Sequence, residues 1–171
     1  MLLGFAFVLG FGLQNEHDML QSIKIPFVDP KTQFFENGYD GFPTYGMKPG
    51  SDIKTPYRLS LPERLYADFA LVMAAKPASR EGGFLFSVVN PLDTIVQLGV
   101  RLSKTELWAR FSLRVKGDNV TLFFNCREHG TAVVQRKPKE LVFDSASTLY
   151  IGQAGPLIKG EYDVSPHSSI P

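Results

Sequence analysis

Trp108-Ala109-Arg110-Phe111-Ser112-Leu113-Arg114-Val115-Lys116-Gly117-Asp118-Asn119-Val120-Thr121-Leu122-Phe123-Phe124-Asn125-Cys126-Arg127-Glu128-His129 is the stretch that decides the fold. Apolar and polar residues alternate on both sides of Gly117-Asp118, a pair with glycine first, as a type II′ hairpin turn prefers. A two-residue turn there fixes the register. Val115 falls opposite Val120, Leu113 opposite Leu122, Phe111 opposite Phe124 and Ala109 opposite Cys126, all facing a core. A slip of one residue would spoil every pair. The other face carries Trp108, Arg110, Ser112, Arg114 and Lys116 against Thr121, Phe123, Asn125 and Arg127. Cys126 is the only cysteine. It reads as a half-disulfide on a strand with no partner in view, which points to an extracellular β-domain and an incomplete chain.

The same two-residue period runs on either side of this hairpin. Val96 to Ser103 alternates completely and Tyr57 to Leu61 alternates as well, so each is expected to be a half-buried strand. Phe69–Ala75 and Phe84–Val89 are more continuously apolar, the pattern of central strands covered on both faces, joined by a turn-rich stretch from Lys76 to Gly83. Turn chemistry at Asn37–Pro43 and Lys48–Asp52 brackets a short aromatic segment around Tyr45. Asp18 is placed to cap a short helical turn that Pro26 stops, packed as a lid on the sheet. With 171 residues the chain makes one domain, and 15 Gly and 12 Pro beside 44% hydrophobic residues favour a turn-rich β protein over a helical bundle.

A net charge of +1 gives no overall electrostatic case for nucleic acid. The apolar run from Leu2 to Leu13 is too short to span a bilayer. It reads as the hydrophobic region of a signal peptide over residues 1–14, although no Lys or Arg precedes it; the other reading is an apolar first strand. The domain proper is then expected over 15–155, followed by an irregular tail over 156–171.

The pieces Gly38–Tyr45 with Lys48-Pro49-Gly50, Asp68-Phe69-Ala70, Gly82–Phe86, Leu98–Ser103, Val120-Thr121-Leu122 with Asn125–His129, and Ile151–Gly155 follow one another in an order that resembles the thrombospondin N-terminal-like domain. The copy heading the multiplexin collagens is the nearest likeness, over Asp18 to Gly155. The resemblance implies an all-β, antiparallel, laminin-G-like or concanavalin-like β-sandwich (jelly roll) in a secreted matrix protein, in a family whose members often bind heparan sulfate. The chain departs from that pattern twice. Only Lys104-Thr105-Glu106-Leu107 separates Ser103 from Trp108, where the family has further strands. After Gly155 the family continues into a last strand whose cysteine pairs with the counterpart of Cys126, and the final residues here hold none. An incomplete sandwich is therefore expected, from splicing, a fragment or a mis-predicted gene. With no Gly-X-Y tract present, a collagen identity comes from the resemblance alone.

No nucleophile elbow, phosphate cradle or nucleotide fingerprint is present, so no enzyme and no cofactor is expected. Cys126 and His129 do not amount to a metal site, and Asp40, Asp52 and Asp68 read as solvated turn carboxylates rather than calcium ligands. Asn119-Val120-Thr121 is a glycosylation sequon. The stripe of Arg110, Arg114, Lys116 and Arg127, with Arg101 nearby and Arg136, Lys137 and Lys139 as a basic loop, is the candidate surface for a glycosaminoglycan or a matrix protein. The bland alternative is an ordinary solvated sheet face. A structural head domain without a ligand, and a lectin-like sandwich with Trp108 and Phe123 stacked on a sugar, are the other readings.

Overall fold

The computed structural model describes residues 1–10, 15–38, 41–77, 82–103 and 108–158. Its strands are β1 (Leu2–Gly10), β2 (Glu16–Asp18), β3 (Gln33–Asn37), β4 (Pro43–Met47), β5 (Ile53–Pro56), β6 (Phe69–Lys76), β7 (Gly83–Val89), β8 (Val96–Leu102), β9 (Ala109–Lys116), β10 (Asn119–Phe124), β11 (Arg127–Val133) and β12 (Thr148–Ile151). All pairings are antiparallel. One sheet has eight strands in the order β11-β10-β9-β6-β1-β4-β3, with β2 also on β1, and the other has four in the order β5-β12-β7-β8. The protein is an all-β sandwich whose two layers differ in width.

The core lies between the layers. Leu71 and Met73 of β6, Leu3, Ala6 and Val8 of β1, and Phe111 and Val115 of β9 face Leu85, Phe86 and Val88 of β7 and Leu149 and Ile151 of β12, all buried. As the apolar runs implied, β6 and β7 are buried along most of their length. Asp18 caps the 3-10 turn Met19–Ser22 by accepting the Leu20 amide at 2.8 Å, and Met19 and Leu20 are buried beneath it.

Leu2–Gly10, read as the hydrophobic part of a leader, is built into the wide sheet as β1 and pairs with β6 from Leu2 to Gly10. Residues 11–14 lie outside the described residues. Tyr57–Leu59 is a 3-10 turn rather than a strand. The reason is that Tyr57 and Leu61 are buried while Leu59 is 73% exposed, so the spacing of four that brings them inward is that of a helical turn. At the other end of the chain, Gly155–Ile158 forms one helical turn, and the rest of the expected tail, 159–171, is outside the described residues.

A cationic face on the wide sheet

The hairpin at the centre of the sequence forms with the expected pairs: Val115 opposite Val120, Leu113 opposite Leu122 and Phe111 opposite Phe124. Gly117 has φ of +59° and Asp118 is not among the positive-φ residues, the pattern of a type II′ turn. Four side chains tie this turn to the body of the protein. Asp68 accepts the Gly117 amide at 2.8 Å. The Arg136 guanidinium donates to the carbonyls of Ala67 at 2.7 Å, Gly117 at 2.9 Å and Lys139, and lies over the Phe69 ring. Asp118 accepts from the Lys139 ammonium and from the Arg136 amide, and these bonds hold its carboxyl below the usual carboxylate range.

Arg136 and Lys139 are therefore bound into the fold, not presented as a basic loop. Lys137 stands exposed between them. Arg101 lies opposite Phe84 on the narrow sheet, away from the hairpin's sheet.

The pairing of Ala109 with Cys126 does not form. β10 stops at Phe124, and Asn125 and Cys126, with φ of +47° and +64°, make a second two-residue turn into β11. Cys126 is thus an exposed thiol at a hairpin tip, not a core-facing strand residue. The same turn moves Arg127, which pairs with Phe124 and so shares the inward-directed side, away from Arg110 and Arg114. A positive φ is ordinary for Asn but uncommon for Cys, so the sequence carried only half of the signal.

Arg110, Arg114 and Lys116 remain together, exposed on the outer face of β9. The neighbouring strand places small side chains beside the two arginines. On β6, Ala74 lies opposite Arg110 and Ala70 opposite Arg114, so the cross-strand neighbour of each arginine is a methyl group. Between the two arginines, Phe7, Val72, Ser112 and Phe123 run side by side across β1, β6, β9 and β10. The Arg114 guanidinium sits 5.1 Å above the Phe123 ring, a cation–π contact that holds it over the ring face. Trp108, half-buried, precedes this row. Phe7 and Val72 are not legible in the sequence as part of the face, because only the sheet order brings β6, and beyond it β1, alongside β9. Glu128 opposes Phe123 on the same face and accepts from Thr131 at 3.2 Å.

Among the described residues no group of three or more His, Cys, Asp or Glu could hold a metal. Asp52 pairs with Lys54 at 2.7 Å and Asp68 is engaged at the turn; Asp40 is outside the described residues. Among the described residues no helix is long and apolar enough to cross a membrane.

Fold and face together define an antiparallel β-sandwich module with an aromatic-backed cationic sheet face. The collagen alpha-1(XVIII) chain of Homo sapiens is 23% identical to it over 129 residues, a match covering 57% of this chain and 7% of that one. The chain is accordingly a β-domain similar to a stretch of a collagen chain, and it spans less than a tenth of that curated relative. Domain 4 of AbnA, a GH43 extracellular arabinanase from Geobacillus stearothermophilus solved in complex with arabinotriose, is 11% identical with a TM-score of 0.48, covering 90% of this chain and 85% of that one. That likeness is too distant to bear on function. No family model matches the chain.

Proposed function

We propose that this chain is a non-enzymatic extracellular matrix module of the thrombospondin N-terminal-like type, and that the outer face of β9 and β10 binds a sulfated glycosaminoglycan such as heparan sulfate. The observation carrying this reading is the exposed row of Arg110, Arg114 and Lys116 over the Phe123 floor. Arg110 and Arg114 are four residues apart along one strand, a separation of about 13 Å, and Lys116 lies about 7 Å further on. This linear array fits successive anionic groups of an extended chain better than one compact anion. Arginine suits the task because its planar fork meets sulfate oxygens in pairs and stacks on rings. The match to a collagen chain supports the matrix setting and a non-catalytic role.

Immobilised heparin tests the proposal. Arg110→Ala, Arg114→Ala and Lys116→Ala each reduce the salt needed for elution, while Arg127→Ala and Arg101→Ala leave it unchanged. By analogy with phosphate contacts, each lost contact lowers the slope of log affinity against log salt by about 0.7–0.9. A chain that passes through heparin unretarded at low salt, and binds no matrix protein, is a structural head domain. Retention on neutral glycans that salt does not weaken makes it a lectin.

A further inference from the structure

Asn119 begins β10 directly after the Gly117–Asp118 turn and is exposed. The register sets it in a row on the outer face, with Lys116 on β9 to one side and Val133 on β11 to the other. Val133 is 78% exposed and Val134, which follows it, 46%. β11 forms the outer edge of the wide sheet and is exposed along its whole length. Apolar side chains at such an edge invite pairing with another chain, and natural sheets usually cover or charge them.

We infer that Asn119 is an N-glycan acceptor, and that its glycan lies across Val133 and Val134, shields the β11 edge and closes the Lys116 end of the arginine face. The inference rests on the extracellular reading above, since only a chain entering the secretory route meets the donor. In the transfer, the Asn119 side-chain amide nitrogen bonds to the anomeric carbon of a lipid-diphosphate-linked oligosaccharide. The lipid diphosphate departs with the bonding pair, and the amide loses one proton. In an extended chain Asn119 and Thr121 project to the same side about 7 Å apart, so amide and hydroxyl are presented together. Once folded, Thr121 is 3% exposed and its hydroxyl is 2.9 Å from that of Thr131 on β11. Transfer therefore precedes the closing of β11 onto β10. The exposed Asn119 then leaves the finished glycan room over its apolar neighbours, and a polyanion is left Arg114 and Arg110 as its main contacts.

The test is expression of the chain in human cells behind a heterologous leader. A glycosidase-sensitive mass increase in the leader-directed chain, lost in Asn119→Gln and kept in Thr121→Ser, is the expected result. The glycosylated protein should also stay monomeric at concentrations where the enzymatically deglycosylated protein associates, and should leave heparin at lower salt than Asn119→Gln. A leader-directed chain that is secreted without any glycosidase-sensitive mass overturns the acceptor. Unchanged association and unchanged heparin elution after glycan removal overturn the shielding. A leader-directed chain that is glycosylated but binds neither heparin nor a matrix protein leaves the acceptor standing and overturns the proposed function.

Discussion

The wide sheet overhangs the narrow one at both ends, and the two overhangs are treated differently. At the β1-β4-β3 end the chain from Met19 to Thr32 folds under the sheet: Met19, Leu20 and Ile23 are buried, and the Phe27 ring packs 4.7 Å from Phe35 and 6.5 Å from Tyr45. At the β9-β10-β11 end Leu113, Val120 and Leu122 touch the core but stay only partly buried, and Phe124 is 45% exposed. Alternation along a strand declares which side is suited to burial, whereas coverage depends on how far the opposite layer reaches. The order β5-β12-β7-β8 ends at β8.

Mutations separate the centre from the open end. Met73→Ala, at a fully buried position on β6, should cost about 2–5 kcal/mol in urea unfolding, while Leu122→Ala costs about 1 kcal/mol. Equal costs would mean that the open end is covered in solution. A similar contrast holds between the two overhangs themselves. Phe27→Ala removes a ring in an aromatic cluster and should cost about 1–3 kcal/mol, against under about 1 kcal/mol for Phe124→Ala.

The closed end also carries a pH-dependent contact. His17 lies 2.8 Å from the Tyr66 hydroxyl with its ring stacked on that of Tyr66, and burial lowers its pKa from the ordinary 6.5. Glu16, Asp18 and Arg58 line the same groove. A lowered histidine pKa means that the unfolded chain takes up the proton first as pH falls. The contribution of His17 to stability should be full above about pH 7 and decline below about pH 6 as the half-buried ring is forced to charge. His17→Gln should flatten that part of the profile, and an unchanged profile would remove His17 as its source. The smallest effect belongs to the open end. Cys126→Ser, at an exposed turn, should change stability by less than about 0.5 kcal/mol, whereas a cysteine held in a disulfide would cost several times more.

The contrast also explains what was legible in the sequence. The Trp108–Phe124 hairpin could be read because a glycine-first turn and clean alternation agree, and the pairs from Val115 to Phe111 follow. Cys126 and Arg127 depart from the alternation at one turn whose second residue, a cysteine, gives no warning of a positive φ. Arg136 and Lys139 read as part of a basic, ligand-facing loop because their partners, Ala67, Gly117 and Asp118, are joined to them only by the tertiary fold. The apolar floor beneath the arginines was invisible for the same reason: Phe7 and Ala70 belong to strands distant in sequence, and their adjacency is set by sheet order. Local chemistry placed the cations on one face of β9. Topology decided which other residues joined them.

The most direct test is an NMR titration of the isotope-labelled protein with a defined heparin oligosaccharide. Binding at the outer face predicts shift changes concentrated in the amides of Arg110 to Lys116 and Thr121 to Phe123 and in the Trp108 indole, all fading as salt is raised. Changes centred instead on Arg127, Lys137 or Arg101, or no changes at low salt, would contradict the assignment of this face.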